Sequence, residues 1–485
     1  MNWKGSLDRA PLIVASYRLP YDLSRRSAPG AAKRNIGGLV NALEPTLERR
    51  GGVWLGWDGA SLPSKTAVRQ ALARPRALRL PTGVTLCGIP LAEREIQRFA
   101  NGACNRALWP LFHDFPGRAV YRADDWEAYV QVNRRFAECI AARARRGDRI
   151  WIHDYQLMLV PRFLRELGLR QRIDIYLHIP FPPGEIFRAL PWRDDVLAGL
   201  LAADGLAFHI ERYRDNFVQA ARTLRAEPGL RGDAQAVGAT ALAVAPIGLD
   251  VAAFESLASD RSVQERARAI RGSFGGRAVF FGAERLDYTK GVLERLLAVE
   301  RMLRTSPELA GRLVHVQVVV PSRHNVEEYR ALKREIDREV GRINGEFGSD
   351  GWQPIHYRYR ALDRAELVAH YLAASAAVVS PLRDGMNLVA PEFVASRIDG
   401  DGVLVLSEFA GVAELLADAL LINPNDLDAF GHALERALTM GRDERRARMA
   451  RLRAVVAANT ATSWARRCLE AGLDAAPVPP LELGA

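Results

Sequence analysis

The chain has 485 residues, 48% of them hydrophobic and 26% charged; these are globular proportions that exclude a disordered chain, and the length suits two domains of roughly 200–250 residues. The net charge of +10 comes from 67 Lys and Arg against 57 Asp and Glu, but the arginines alternate with acids, as in GRDERRARMARLRA, which reads as solvated helix surface and not as a nucleic-acid groove. No apolar run approaches the ~18 residues of a membrane span, and Cys87, Cys104, Cys139 and Cys468 are scattered, with no CxxC pair and no His partner at metal spacing, so buried thiols in a reducing, cytoplasmic setting are expected.

In chain order, short β-branched runs alternate with helix-length amphipathic segments. The predicted strands are 11–16 (PLIVAS), 148–153 (DRIWIH), 173–178 (IDIYLH), 205–209 (GLAFH), 277–282 (RAVFFG), 313–320 (LVHVQVVV), 376–380 (AAVVS) and 402–407 (GVLVLS), with helices such as 124–146 between them. The first run is too short for a signal core and reads as a buried strand ending at Tyr17 and Arg18. Buried strands separated by helices specify parallel sheets covered on both faces, an α/β architecture. Two such sets are present. Pro246 and Gly248 follow the strand-like ALAVA, and the junction is placed there, giving domains 1–247 and 248–460, then a terminal helix and a Pro-rich tail over 461–485.

Open α/β sheets bind ligands beyond the carboxyl ends of their strands, and four polar clusters lie at such ends. WIHDYQL (151–157) places Asp154 directly after a strand; a cap on the following helix is its plain structural alternative. LHIPFPPGEIF (177–187) ends a strand at His178, and the three prolines behind it stiffen a loop that can hold a polar group; a core histidine before a turn is the alternative. GAERLDYTKG (282–291) sets Arg285 and Lys290 between a strand and a helix, where side-chain cations, fixed N–H groups and the helix dipole together favour an anion such as phosphate. In SPLRDGMNLVAPEFVASR (380–397), Asp384 and Gly385 follow a strand, and the N–H groups of Met386, Asn387, Leu388 and Val389 can face phosphate or sugar oxygens. Glu392 can accept both hydroxyls of a ribose, or serve as an ordinary first-turn acid. An anion site combined with hydroxyl-binding carboxylates is what a nucleotide sugar requires.

These strings, together with RINGEFG and LSEFAG, resemble the trehalose-6-phosphate synthase family (glycosyltransferase family 20) from about Leu12 to about Met440. The glucosylglycerol-phosphate synthases share many of them. The resemblance implies the GT-B fold: an N-terminal Rossmann-like acceptor-binding domain, a C-terminal Rossmann-like nucleotide-sugar-binding domain, a cleft between them, and a terminal helix that returns to the first domain. It implies a retaining transfer of glucose from a nucleoside-diphosphate glucose, UDP-glucose being the family's usual donor, to glucose 6-phosphate, giving α,α-trehalose 6-phosphate. Asp154, His178, Arg285 and Lys290 match catalytic positions. Gly38, Arg285, Lys290, Asp384, Gly385, Met386, Asn387, Leu388, Val389 and Glu392 match donor-binding positions, and Arg18, Trp57, Trp109, Asp154 and Arg323 acceptor-binding ones. No metal and no other cofactor is expected; Asp399-Gly400-Asp401 reads as a turn and Asp426-Leu427-Asp428 as a helix start. The expected partners are these small molecules, not nucleic acid or membrane, with a homo-oligomer left open.

The departures from the family pattern are all on the acceptor side. Tyr17 stands where the family commonly has Asn, and Ala100 where it often has Tyr; the extra basic residues Arg25, Arg26, Lys33 and Arg34 lie nearby in sequence. Glycerol 3-phosphate or a cyclitol phosphate is therefore an alternative acceptor. A non-catalytic sugar-phosphate sensor is a second reading, against which the intact Arg285, Lys290, Asp384 and Glu392 argue. An NAD-dependent oxidoreductase ranks lowest, because no GxGxxG opens a helix after a first strand.

Overall fold

The computed structural model describes residues 11–24, 38–225, 240–322 and 327–474. Backbone contacts divide the chain into two compact units: Met1–Ile247 with Ala461–Ala485, and Gly248–Thr460.

In the first unit eight strands form one sheet: β1 (Leu12–Arg18), β2 (Gly52–Leu62), β3 (Ala77–Arg79), β4 (Val84–Ala92), β5 (Arg149–His153), β6 (Arg172–Tyr176), β7 (Gly205–Phe208) and β8 (Ala241–Val244). Their spatial order is β3-β4-β2-β1-β5-β6-β7-β8. All neighbours are parallel except β3, which runs antiparallel beside β4. The runs Leu12–Ala15 and Arg149–His153 are buried throughout, as the central strands of a sheet covered on both faces must be. The order reverses between β1 and β5, the switch point beside which open α/β sheets bind ligands. The helix Ala461–Asp474 packs on β8 and on the helix Gly38–Arg50.

The second unit has six parallel strands: β9 (Ala278–Arg285), β10 (Leu313–Val320), β11 (Ile355–Tyr359), β12 (Ala376–Val379), β13 (Val403–Ser407) and β14 (Leu420–Ile422). Their order, β11-β10-β9-β12-β13-β14, is that of a dinucleotide-binding sheet, with the reversal between β9 and β12.

Each of the eight sequence-predicted strands is present, and β10 keeps its predicted limits. The strands β2, β3, β4, β11 and β14 were not read from the sequence. Among the described residues no helix is long and apolar enough to cross a membrane, and the four cysteines are free thiols.

Candidate active site

In the first unit the candidate residues gather where β1, β5 and β6 end. Arg18, the last residue of β1, lays its guanidinium over the indole of Trp57, 4.7 Å from the ring centroid. Tyr17 stacks on the same indole at 5.7 Å and meets Phe99 edge-on at 5.3 Å. The indole is held by its own Nε1–H, which donates to the Ala60 carbonyl at 2.8 Å. Tyr17 therefore acts as an aromatic wall behind Arg18. Trp109 is buried, 5.9 Å from the ring of Tyr155, the residue after Asp154. Ala100 is buried in the π-helical segment Ile96–Leu108 that runs into Trp109; such i→i+5 turns are rare and frequently mark functional sites. Gly38 opens the helix Gly38–Arg50. Arg323, Arg25, Arg26, Lys33 and Arg34 lie outside the described residues.

Asp154 stands at the start of the short turn Tyr155–Leu157, but its side chain makes no capping hydrogen bond there. Its backbone sits at φ 77° and ψ 168°, a region almost reserved for glycine that costs ~1–3 kcal/mol and persists where surrounding contacts over-determine it. Those contacts are specific. The Asp154 N–H donates to the Tyr176 carbonyl at 2.7 Å, and its Oδ1 accepts the His178 N–H at 3.1 Å. The carboxylate thus ties the end of β5 to the loop after β6.

His178 lies in a cluster that the sequence did not reveal. Its Nε2 shares a hydrogen bond with His153 Nδ1 at 3.1 Å. Its carbonyl accepts from His209 Nε2 at 3.1 Å, and the Tyr176 hydroxyl, 2.7 Å from His209 Nδ1, donates to the Ala245 carbonyl at 2.5 Å. Trp464, fully buried, closes this cluster from the helix Ala461–Asp474, 5.3 Å from Tyr176 and 6.0 Å from His178. Burial, and then the neighbouring His153 and His209, hold the His178 imidazole well below its ordinary pKa, and burial pushes His153 down to about 3. Both rings are neutral near pH 7 and act as hydrogen-bonding groups, not cations.

In the second unit the loops after β9 and β12 flank the reversal point and are stitched together. Asp287 caps the turn Tyr288–Lys290 by accepting the Thr289 N–H at 3.2 Å. The Leu382 N–H donates to the Thr289 carbonyl at 2.8 Å. Gly291 follows at φ 62°, and a Cβ there would stand 1.9 Å from the Ser380 carbonyl oxygen; both the left-handed backbone and the close approach call for glycine. Lys290, buried, places Nζ 2.6 Å from Asp384 Oδ2, which also accepts from Asn387 Nδ2 at 3.0 Å. Asn387 Oδ1 in turn accepts the Ala390 N–H at 3.2 Å. The helices Val292–Thr305 and Val389–Ser396 begin here, so two positive dipole ends and their first N–H groups meet at one place. The structure brings Lys290, Asp384 and the segment Gly385–Val389 together, with exposed Arg285 closing β9 beside them.

Glu392 is partly buried, and Tyr371 donates its hydroxyl to Oε2 at 3.2 Å. Burial raises the carboxyl to about 7, with Tyr371 and Arg364 pulling it back only in part. An unfolded glutamate titrates near 4.3, so between roughly pH 4.3 and 7 the folded chain keeps a proton that the unfolded chain has released; stability falls as pH rises through that window and stays lowered above it. Glu392→Gln is therefore expected to raise Tm at pH 8, with the gain shrinking toward pH 5; thermal melts at the two pH values check this.

The two DxD strings have structural partners. Asp399 pairs with Arg397 at 2.9 Å and Asp401 with Arg445 at 2.7 Å; Asp426 caps the helix Leu427–Thr439, accepting the Ala429 N–H at 3.0 Å, and Asp428 pairs with Arg301. Among the described residues no group of three His, Cys, Asp or Glu side chains is placed to hold a metal ion.

The sequence profile of glycosyltransferase family 20 matches residues 10–472. A trehalose-6-phosphate synthase of Mycobacterium sp. (strain JLS) is 42% identical over 483 residues, 97% of each chain. Among solved structures, a UDP-forming alpha,alpha-trehalose-phosphate synthase from Burkholderia xenovorans in complex with glucose-6-phosphate superposes with a TM-score of 0.84 at 30% identity, over 96% of this chain and 100% of that one. The E. coli protein bound with UDP-2-fluoro glucose gives a TM-score of 0.86 at 32% identity, over 97% of this chain and 100% of that one.

Proposed function

From the premise that this chain belongs to glycosyltransferase family 20, we propose that it transfers glucose with retention from UDP-glucose to glucose 6-phosphate, giving α,α-trehalose 6-phosphate and UDP. The observation that carries this reading is the pairing of Lys290 with Asp384 at the reversal point of the second sheet, 2.6 Å apart and beside two helix N-termini. Lys290 and Arg285 hold the donor diphosphate and stabilise the negative charge that grows on it as the glycosidic bond breaks. Asp384 and the N–H groups of Gly385, Met386, Asn387, Leu388 and Val389 hold the transferred glucose, and Glu392 accepts from the ribose hydroxyls. In the first unit Arg18, Trp57 and Trp109 serve the acceptor, while Asp154 and His178 serve the reacting sugars; Gly38 belongs to the donor side and Arg323 to the acceptor phosphate.

In this reading the leaving diphosphate takes the proton of the acceptor hydroxyl as that hydroxyl attacks the same face of an oxocarbenium-like glucose. Neutral His178 suits the role of a hydrogen-bonding group there, since an imidazolium beside developing positive charge would oppose it. No metal is called for, because the diphosphate charge is met by two side-chain cations and two helix termini. The free thiols, three buried and one half-buried, suit a cytoplasmic protein.

The deciding experiment offers UDP-, GDP- and ADP-glucose with glucose 6-phosphate, glycerol 3-phosphate or a cyclitol phosphate, with and without excess chelator, and weighs the products. The expected result is a disaccharide phosphate from UDP-glucose and glucose 6-phosphate, undiminished by chelator. A product from glycerol 3-phosphate alone would transfer the assignment to the glucosylglycerol-phosphate branch; Tyr17 and Ala100 make that comparison necessary, since both stand on the acceptor side.

A further inference from the structure

Beneath the two donor loops lies a charged group that the sequence gives no cue to beyond its place on a helix. Arg295 falls on the apolar stripe of the helix Val292–Thr305, in register with Val292, Leu296, Val299 and Leu303, and it is 0% exposed. Its Nη1 donates to Glu284 Oε2 at 2.8 Å and to Gln317 Oε1 at 2.9 Å, its Nη2 lies 2.6 Å from Glu284 Oε1, and its Nε donates to Ser380 Oγ at 3.1 Å. Gly282 clears the space, since a Cβ there would stand 2.2 Å from Nη1. His315, which shares a hydrogen bond with Gln317 at 3.1 Å, is driven down to about 3, first by burial and then by Arg295, so the guanidinium and the Glu284 carboxylate balance one another.

We infer that Arg295 is the positioning residue that fixes the spacing of the two donor loops, acting through Glu284 and Ser380; this rests on the reading that those loops hold a nucleoside diphosphate. Glu284 immediately precedes Arg285. Ser380 opens the SPLRDG segment that carries Asp384, and its hydroxyl donates to the carbonyl of Gly291, next to Lys290, at 3.1 Å. One planar guanidinium therefore grips both loops one layer below the ligand, with a fork geometry that an ammonium does not reproduce. Stability alone gives a weak reason for such a group. An ion pair this deep recovers little more than its desolvation cost, and apolar replacements of the whole pair are commonly neutral or stabilising.

The test separates holding the fold from placing the loops. UDP affinity and Tm are measured on the full chain for the parent, for Arg295→Met with Glu284→Gln, which removes both charges, and for Ser380→Ala, which removes only the link between the loops. The double variant is expected to stay folded yet bind UDP at least ~10-fold more weakly, about 1.4 kcal/mol. KM for glucose 6-phosphate is expected to stay unchanged. Ser380→Ala is expected to shift in the same direction by a smaller factor, and it decides the matter by itself if the double variant does not fold. Parent-like UDP affinity in the folded variants overturns the inference, whatever their Tm. Failure of the parent to bind UDP overturns the donor-site reading instead, and this inference with it.

Discussion

Replacing Lys290 with alanine is expected to lower kcat/KM by ~10²–10³-fold, the loss typical of removing one preorganised group from a developing negative charge. The effect is large because Lys290 is buried and already fixed against Asp384, at 2.6 Å, so the folded protein holds the cation in place before any ligand arrives. Alanine also removes the Lys290 ammonium from the Asp384 carboxylate, and breaking a largely buried ion pair costs stability. Steady-state kinetics should therefore be run beside a thermal melt, with Lys290→Arg as a charge-keeping control. Near-parental turnover by a folded Lys290→Ala protein would remove the lysine from the proposed chemistry.

Replacing Trp464 with alanine is expected to destabilise the first unit by ~3–5 kcal/mol, the range for deleting a fully buried aromatic side chain. The indole is 0% exposed and packs 5.2 Å from Trp151 and 5.3 Å from Tyr176, face to edge against the latter, so its removal opens a cavity lined by rings that cannot collapse easily. The loss should appear in urea titration followed by far-ultraviolet circular dichroism, read on the first unit's own transition because two units need not unfold together. Leu167→Ala, at a residue 46% exposed, should change the same curve by less than ~0.5 kcal/mol.

The α/β class and the central strands are legible in the sequence because parallel, doubly covered strands appear as unbroken β-branched runs; Leu313–Val320 is the clearest case. The strand β2 is hidden because Gly52, Gly56 and Gly59 interrupt the apolar signal of GVWLGWDGASL, and β4 because Gly88 and Pro90 argue locally against a strand. The donor side was legible, since an anion site needs residues close together in sequence: Arg285 and Lys290 on one loop, Asp384 to Glu392 on another. The supporting shell was not. Tyr176, His209 and Trp464 are far apart in the chain and look like ordinary core residues until the fold brings them together around His178. Arg295 leaves one trace, a charged residue on an otherwise apolar helical stripe, where the head must either reach solvent or find a buried partner.

The first unit is discontinuous in sequence, whereas the second is one uninterrupted segment from Gly248 to Thr460. On the ribosome, the sheet completed by β8 must therefore wait through about 210 residues, roughly 10–40 s at ordinary rates of synthesis, before the helix carrying Trp464 emerges to seal the cavity around Trp151 and Tyr176. During that interval the nascent chain exposes an unfilled aromatic socket, while the later-made portion can already fold to completion. The half that starts first finishes last, and its vulnerability to misassociation is concentrated in that interval of translation.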